Sequence, residues 1–336
     1  MKVLYLAGTG RSGSTLLARI LDRAEGVFAA GELRYLWQRG LVEDRLCGCG
    51  QPFSRCGFWG EVLDTAFGGR HAVDPQRMMA DQRRVTRLRH VPRLLARRRP
   101  GASAGYLDGL SRLYQAVGSV SGCTLVVDSS KLPSYGFTLN SIPGLDVRTV
   151  HLVRDPRGAA YSWAREKPLT DRDGAMQQMS VLKSSTLWLA WNAAAPALVG
   201  DRDRYRLVRY EDLVADPRKV VDDILAFAGH TNDGAAFVGE RTVSLERSHT
   251  VAGNPNRLEA GQVELREDQT WTTGLGRPRR ALVTAVTTPL LGRFDYPLFL
   301  RRGAGPPSTS PPGPRFARRS PAAGVGASGA GRGHRR

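Results

Sequence analysis

Residues 2–17, Lys2-Val3-Leu4-Tyr5-Leu6-Ala7-Gly8-Thr9-Gly10-Arg11-Ser12-Gly13-Ser14-Thr15-Leu16-Leu17, decide how the chain is read. Val3 to Ala7 is a short apolar run, the pattern of a parallel strand covered on both faces. Gly8, Gly10 and Gly13 permit a tight turn whose N–H groups can approach a ligand. Ser14 and Thr15 open a helix in which Leu16, Leu17, Ile20, Leu21 and Ala24 recur at helical spacing. Strand, glycine-rich turn and helix start together make an anion site: free N–H groups and the positive end of the helix dipole point at one spot. The fold class this predicts is α/β with a central parallel sheet.

The turn departs from two well-known patterns. The P-loop of nucleotide hydrolases needs Gly-x-x-x-x-Gly-Lys-Ser/Thr; Gly8 and Gly13 keep that spacing, but Ser14 stands in the lysine position and the cation has moved to Arg11. Gly8-x-Gly10-x-x-Gly13 also matches a dinucleotide fingerprint, whose acidic residue about 20 positions on would be Glu32. A tight strand-to-helix turn without a ligand is the third reading of the same glycines. A second segment narrows the choice. His151-Leu152-Val153-Arg154-Asp155-Pro156-Arg157-Gly158-Ala159-Ala160-Tyr161-Ser162 reads as a strand end delivering Arg154, then a helix capped by Asp155 with Pro156 at its first position, carrying Ser162 two turns along.

Arg11 to Leu17 after a strand resembles the 5′-phosphosulfate loop of sulfotransferases, whose donor is 3′-phosphoadenosine 5′-phosphosulfate. That family places an arginine at the end of a later strand and a serine eight residues on, both gripping the donor's 3′-phosphate; Arg154 and Ser162 hold those positions here. The resemblance implies a P-loop-type three-layer fold with helical and loop lid insertions. It also implies donor contacts from Arg11, Ser12, Gly13, Ser14, Thr15, Arg154 and Ser162. Gly26–Trp37 reads as a short strand, a turn and a helix beginning near Glu32, which stands where tyrosylprotein-type members carry a general base; otherwise it is an acidic residue in that helix's first turn. Lys131, among the polar residues that end the strand Thr124–Lys131, resembles the lysine placed by the bridging oxygen of the phosphosulfate. Ser248-His249-Thr250-Val251-Ala252-Gly253-Asn254-Pro255-Asn256-Arg257 is similar to a His-x-x-x-Gly-Asn-Pro-x-Arg segment of bacterial members, which suggests a donor contact for Arg257. His249 is a second candidate base or an ordering residue of that loop. The expected catalytic set is Glu32, Lys131 and Arg11, with no metal, because lysine and arginine take the place of the magnesium used by kinases.

Composition fits one large domain. The 336 residues carry a formal charge of +18, but residues 77–99 hold nine Arg and one Asp, and residues 301–336 hold eight Arg with no Lys, Asp or Glu. Those two stretches leave a net +2 for the rest, so the body of the protein is nearly neutral. The expected organisation is a sulfotransferase domain over residues 1–300, a lid insertion over 35–110 with its basic segment at 77–99, and a disordered Pro/Gly/Arg tail over 303–336. The basic segment is read as a solvated helix; weak contact with anionic surfaces through 77–99 and the tail is the functional alternative.

Met1-Lys2 leads straight into the first strand and no apolar run approaches the roughly 20 residues of a membrane span. The expected compartment is the cytoplasm, which the four cysteines fit without disulfides. Cys47-Gly48-Cys49 and Cys56-Gly57-Phe58-Trp59 suggest a metal knuckle, but three cysteines with no fourth ligand nearby make a poor zinc site. A similar stretch in bacterial sulfotransferases implies a structural loop of the acceptor-side lid, the reading taken, with a redox-sensitive pair as a further role for its cysteines. Residues 177–198 read as a core helix.

The expected activity is sulfuryl transfer to a hydroxyl or amine of a small molecule, glycan or lipid, without specific nucleic-acid binding. The rivals are a nucleotide kinase or ATPase with a degenerate loop, and a basic nucleic-acid or membrane-binding protein.

Overall fold

In a computed structural model the described residues are 1–299, except 88–89, 97–102, 167, 170–173, 202 and 232–233. The expected tail and parts of the basic segment lie outside them. In chain order the elements are β1 (Lys2–Gly8), α1 (Ser14–Leu21), β2 (Val27–Gly31), α2 (Gly57–Phe67), α3 (Pro75–Thr86), α4 (Val91–Leu95), α5 (Ala104–Ser121), β3 (Leu125–Lys131), α6 (Pro133–Asn140), β4 (Asp146–Val153) and α7 (Pro156–Ala164). Then follow α8 (Val181–Val199), β5 (Tyr205–Arg209), α9 (Tyr210–Ala215), α10 (Pro217–Phe227), β6 (Thr242–Leu245), β7 (Gly261–Glu264), α11 (Trp271–Gly274) and α12 (Arg277–Leu291).

The apolar run of β1 becomes the middle strand of a five-stranded sheet, order β2-β3-β1-β4-β5. Each neighbouring pair is parallel. Alternation along β1 assigns its faces: Val3, Tyr5 and Ala7 pack with residues of α2, α5 and α6, whereas Leu4 and Leu6 pack with α1 and α10. Both faces are covered, which is why the strand reads as continuous apolar sequence. The chain leaves β1 through α1 toward β2 and leaves β4 through α7 and α8 toward β5, so its course diverges at the carboxyl ends of these adjacent strands. In open α/β sheets such a divergence is where ligands sit.

Two local expectations shift. Glu32 does not open an α-helix. A single 3₁₀ turn, Leu33–Tyr35, follows it and runs into a π-helix over Leu36–Val42, closed by the Glu43 N–H donating to Gln38 O at 2.8 Å. The long helix α8 begins at Val181, because Ser180 caps it by accepting from the Lys183 N–H. Met176, Gln177 and Met179 are therefore left in an irregular segment that lines a cleft. In the basic segment, α3 buries Asp81, Val85 and Thr86, with Arg77, Arg83 and Arg84 exposed, which is the solvated basic helix. Among the described residues no helix is long and apolar enough to cross a membrane.

Candidate active site

The turn after β1 is built as its glycines require. Gly13 takes φ +91°, and a Cβ there would come within 2.6 Å of the Tyr210 ring, so only glycine fits. It sits at the N-cap of α1 with no side-chain cap, leaving the first N–H groups of the helix facing the cleft. Arg11 is itself in the left-handed region at φ +70°. Lys131, at the end of β3, is there too at +69°. Non-glycine residues hold this conformation at a cost of order 1–3 kcal/mol, and such outliers gather at functional sites.

Above the carboxyl edge of the sheet lies a cleft of about 650 Å³, within the 300–1,000 Å³ or so typical of ligand sites. Its lining brings together Arg11, Gly13, Ser14, Thr15, Glu32, Lys131, Arg154, Ser162 and Arg257, residues spread over most of the chain. Lys131 Nζ donates to Glu32 Oε1 at 2.6 Å and to Ser129 O at 3.0 Å. Burial pushes the Glu32 carboxyl up, but the Lys131 ammonium and its hydrogen bond, helped by Arg39 and Arg34, outweigh it and hold the group below the ordinary carboxylate range. The Tyr35 ring lies between the guanidinium groups of Arg34 and Arg39, 4.0 and 4.1 Å from its centroid, which anchors those two cations near Glu32.

Arg11 has no carboxylate partner among the described residues. Its guanidinium lies 4.8 Å from the Trp163 ring centroid and donates to Met176 Sδ at 3.4 Å, a weak acceptor. Burial lowers its pKa, with Glu32 opposing. A half-desolvated cation with only soft neighbours is ready for an anion. Arg154, at the end of β4, donates to Arg11 O at 3.2 Å and to Asp268 Oδ2 at 3.1 Å, and lies 4.4 Å from the Tyr210 ring centroid. Asp155 pairs with Arg157 at 2.6 Å and caps α7 by accepting from the Arg157 N–H. Glu211, in the Tyr-Glu-Asp-Leu corner after β5, accepts from the Asp155 N–H at 3.0 Å and from Tyr296 OH at 2.7 Å, which steadies the start of α7 below Ser162.

Two candidates stand elsewhere. Ser12 is not in the lining: its hydroxyl turns inward and donates to Thr9 O at 2.9 Å, closing the turn, so its contribution to a ligand is restricted to the backbone. His249 is also outside the lining; its Nδ1 faces the sulfurs of Cys47 and Cys56, and its ring stacks on Phe58 with centroids 4.8 Å apart. Glu32 is therefore the candidate base that faces the cleft. Arg257 does line it, donates to Leu46 O at 2.7 Å, and belongs to a loop that Arg19 of α1 grips by donating to Asn256 O at 2.7 Å.

Residues 4–233 match the sequence profile of the sulfotransferase family. The chain belongs to that family. Carbohydrate sulfotransferase 5 of Mus musculus is 34% identical over 115 residues, and carbohydrate sulfotransferase 6 of Homo sapiens is 32% identical over 112. Each match spans 28% of this chain and 27% of the relative, so only about a quarter of those curated proteins is represented. The sulfotransferase domain from the Synechococcus PCC 7002 olefin synthase shares the fold, with TM-score 0.52, 23% identity, and coverage of 88% of this chain and 95% of that one. The central parallel sheet flanked by helices is thus the P-loop-like α/β architecture of sulfotransferase domains. Asp268, Tyr210, Trp163, Arg34 and Arg39 of this sulfotransferase-family chain escaped the sequence reading. Tyr210 alone had a usable signal, its position directly after a strand at the ligand-bearing edge.

Proposed function

We propose that the protein transfers the sulfuryl group of 3′-phosphoadenosine 5′-phosphosulfate to a hydroxyl of a small-molecule or glycan acceptor. The observation that carries this is the convergence of two anion cradles, the Arg11–Thr15 turn and the Arg154–Ser162 pair, on one cleft with the Glu32–Lys131 pair. A donor with phosphate at one end of its adenosine and phosphosulfate at the other needs both.

Sulfuryl transfer, like phosphoryl transfer, passes in line between two oxygens through a loose transition state whose charge spreads over equatorial oxygens. The N–H groups at the start of α1 and the Arg11 guanidinium supply fixed positive charge for the sulfate. Lys131 is placed to stabilise the bridging oxygen as it takes up charge. In doing so it gives up Glu32, which is then free to accept the acceptor's proton. Arg154 exchanges Asp268 for the 3′-phosphate, and Ser162 and Arg257 complete that end. Trp163 and Trp191 in the lining offer flat apolar faces for an acceptor ring, in keeping with the carbohydrate sulfotransferases among its relatives.

Calorimetry with 3′,5′-adenosine bisphosphate tests the reading. Tight binding without magnesium is expected in the wild type, with a loss of roughly 10–100-fold in Arg154→Ala, the scale of a charge-assisted contact. Equal affinity in the two proteins would sink the assignment of the 3′-phosphate site.

A further inference from the structure

We propose that Cys47, Cys49, Cys56 and His249 form a closed, structural zinc site that fastens the knuckle at 47–56 to the loop carrying Arg257. The sequence put three cysteines together and left them one ligand short. The fold supplies the fourth from about 200 residues away. The four ligand atoms lie within 4.8 Å of one another, with Cys47 and Cys56 buried and Cys49 and His249 half-buried.

Four of the six separations are close to the edges of a coordination tetrahedron, and the other two do not exceed 4.8 Å. With Zn–S near 2.3 Å and Zn–N near 2.0–2.1 Å, its edges are about 3.8 Å between sulfurs and about 3.5 Å between sulfur and nitrogen. Cys47 and Cys56 sulfurs are 3.6 Å apart, and Cys49 and Cys56 sulfurs 3.9 Å. His249 Nδ1 is 3.2 Å from the Cys56 sulfur and 3.8 Å from that of Cys47. A disulfide, at about 2.05 Å, would use two of the sulfurs and leave the third sulfur and the imidazole facing it unused.

Backbone N–H groups point at two of the three sulfurs. The Cys49 N–H donates to the Cys47 sulfur and the Trp59 N–H, at the positive end of α2, donates to the Cys56 sulfur. The His249 ring is fixed by its stack on Phe58, and its carbonyl accepts from Trp59 Nε1 at 2.8 Å. The knuckle is tight against the other loop: a Cβ on Gly48 would fall 2.3 Å from Ser248 O, and the Gly48 N–H donates to Thr250 O at 3.0 Å. Three thiolates and one imidazole suit Zn²⁺ among the common divalent ions. Four protein ligands leave no open position, so the ion is structural and takes no part in sulfuryl transfer.

The site also has a mechanical consequence. Two residues beyond His249, Val251 pairs with the end of β2, its N–H donating to Ala30 O at 2.8 Å and its carbonyl accepting from the Glu32 N–H at 2.7 Å. Arg257 reaches back to Leu46. The ion therefore ties together the strand end that bears Glu32, the knuckle and the loop that closes the cleft.

The test is elemental analysis of the full chain purified under reducing conditions from zinc-supplemented cells. About one zinc per chain is expected, unchanged in Cys123→Ser and lost in Cys49→Ala and His249→Ala, with partial recovery in His249→Cys. Where a variant fails to fold, cobalt(II) exchange of the wild type decides: thiolate-to-cobalt charge transfer with the strong visible bands of a tetrahedral site is expected. Folded, metal-free wild type that takes up neither ion under reduction overturns the proposal. So does a Cys47–Cys56 or Cys49–Cys56 disulfide in that protein, or full zinc retention in both the Cys49 and His249 variants.

Discussion

At the scale of single residues, the proposed mechanism rests on Glu32 and Lys131. Their contact at 2.6 Å keeps the carboxyl ionised at neutral pH against the push of burial. Glu32→Gln removes the proton acceptor but leaves the anion cradles intact. It should lower kcat by roughly 10²–10⁴-fold while calorimetric donor affinity stays within about 2-fold; wild-type turnover in that variant would remove Glu32 from the mechanism. The pH profile gives a second readout. A depressed pKa means that Glu32 stays charged until the pH falls below the ordinary glutamate value, so the acid limb of kcat/KM lies below about 4.3. In Lys131→Met the largest downward influence is gone and burial dominates, so the limb moves up. A limb at the same pH in both proteins would show that another group controls it. Ser12 teaches the opposite lesson: a residue inside the anion turn can serve the turn itself.

At the scale of elements, the two strands beside β1 carry buried ionisable groups with opposite pH signatures. Burial raises Asp128 of β3 to about 6, despite hydrogen bonds from the Ser130 N–H at 2.7 Å and from Tyr114 OH. A raised carboxyl contributes stability below its unfolded pKa and loses it as pH rises through the folded value. Burial lowers His151 of β4 to about 4, where the neutral ring accepts from Tyr205 OH at 2.7 Å and donates to Asn192 Oδ1 at 2.8 Å. A lowered imidazole contributes stability above its unfolded pKa near 6.5 and loses it as pH falls through the folded value. Each is worth about 3 kcal/mol over the interval, at about 1.4 kcal/mol per pK unit, so in the wild type the two nearly cancel. Denaturant midpoints should therefore change little between pH 6.5 and 4 on their account. Asp128→Asn should lose stability on acidification, and His151→Gln should gain it. Two variants that both track the wild type would refute the pairing.

On the scale of the whole molecule, charge and chemistry are segregated. Among the described residues the cleft lining takes none from 77–99 and none beyond Arg257, whereas much of the excess positive charge is in 77–99 and 301–336. Met1–Leu300 forms a compact unit by itself. A chain ending at residue 300 should keep its melting temperature and its affinity for 3′,5′-adenosine bisphosphate, while binding to anionic vesicles weakens and becomes less salt-sensitive. Loss of donor affinity on truncation would place part of the donor site in the tail.

Local rules carried a large share of this protein. An apolar run ending in Gly8, Gly10 and Gly13 has few structures open to it besides a buried strand, a tight turn and a helix start. Asp155-Pro156 likewise has a cap and a first helical turn as its natural state, so the local structure of both segments was legible along the chain. Partnerships were not. Arg154 finds Asp268 rather than Asp155, Glu32 meets Lys131 across 99 positions, and His249 reaches cysteines about 200 residues earlier. Such contacts are selected by how loops pack on the finished sheet, a free energy summed over distant surfaces that no local spacing encodes, so the folded chain alone decides them.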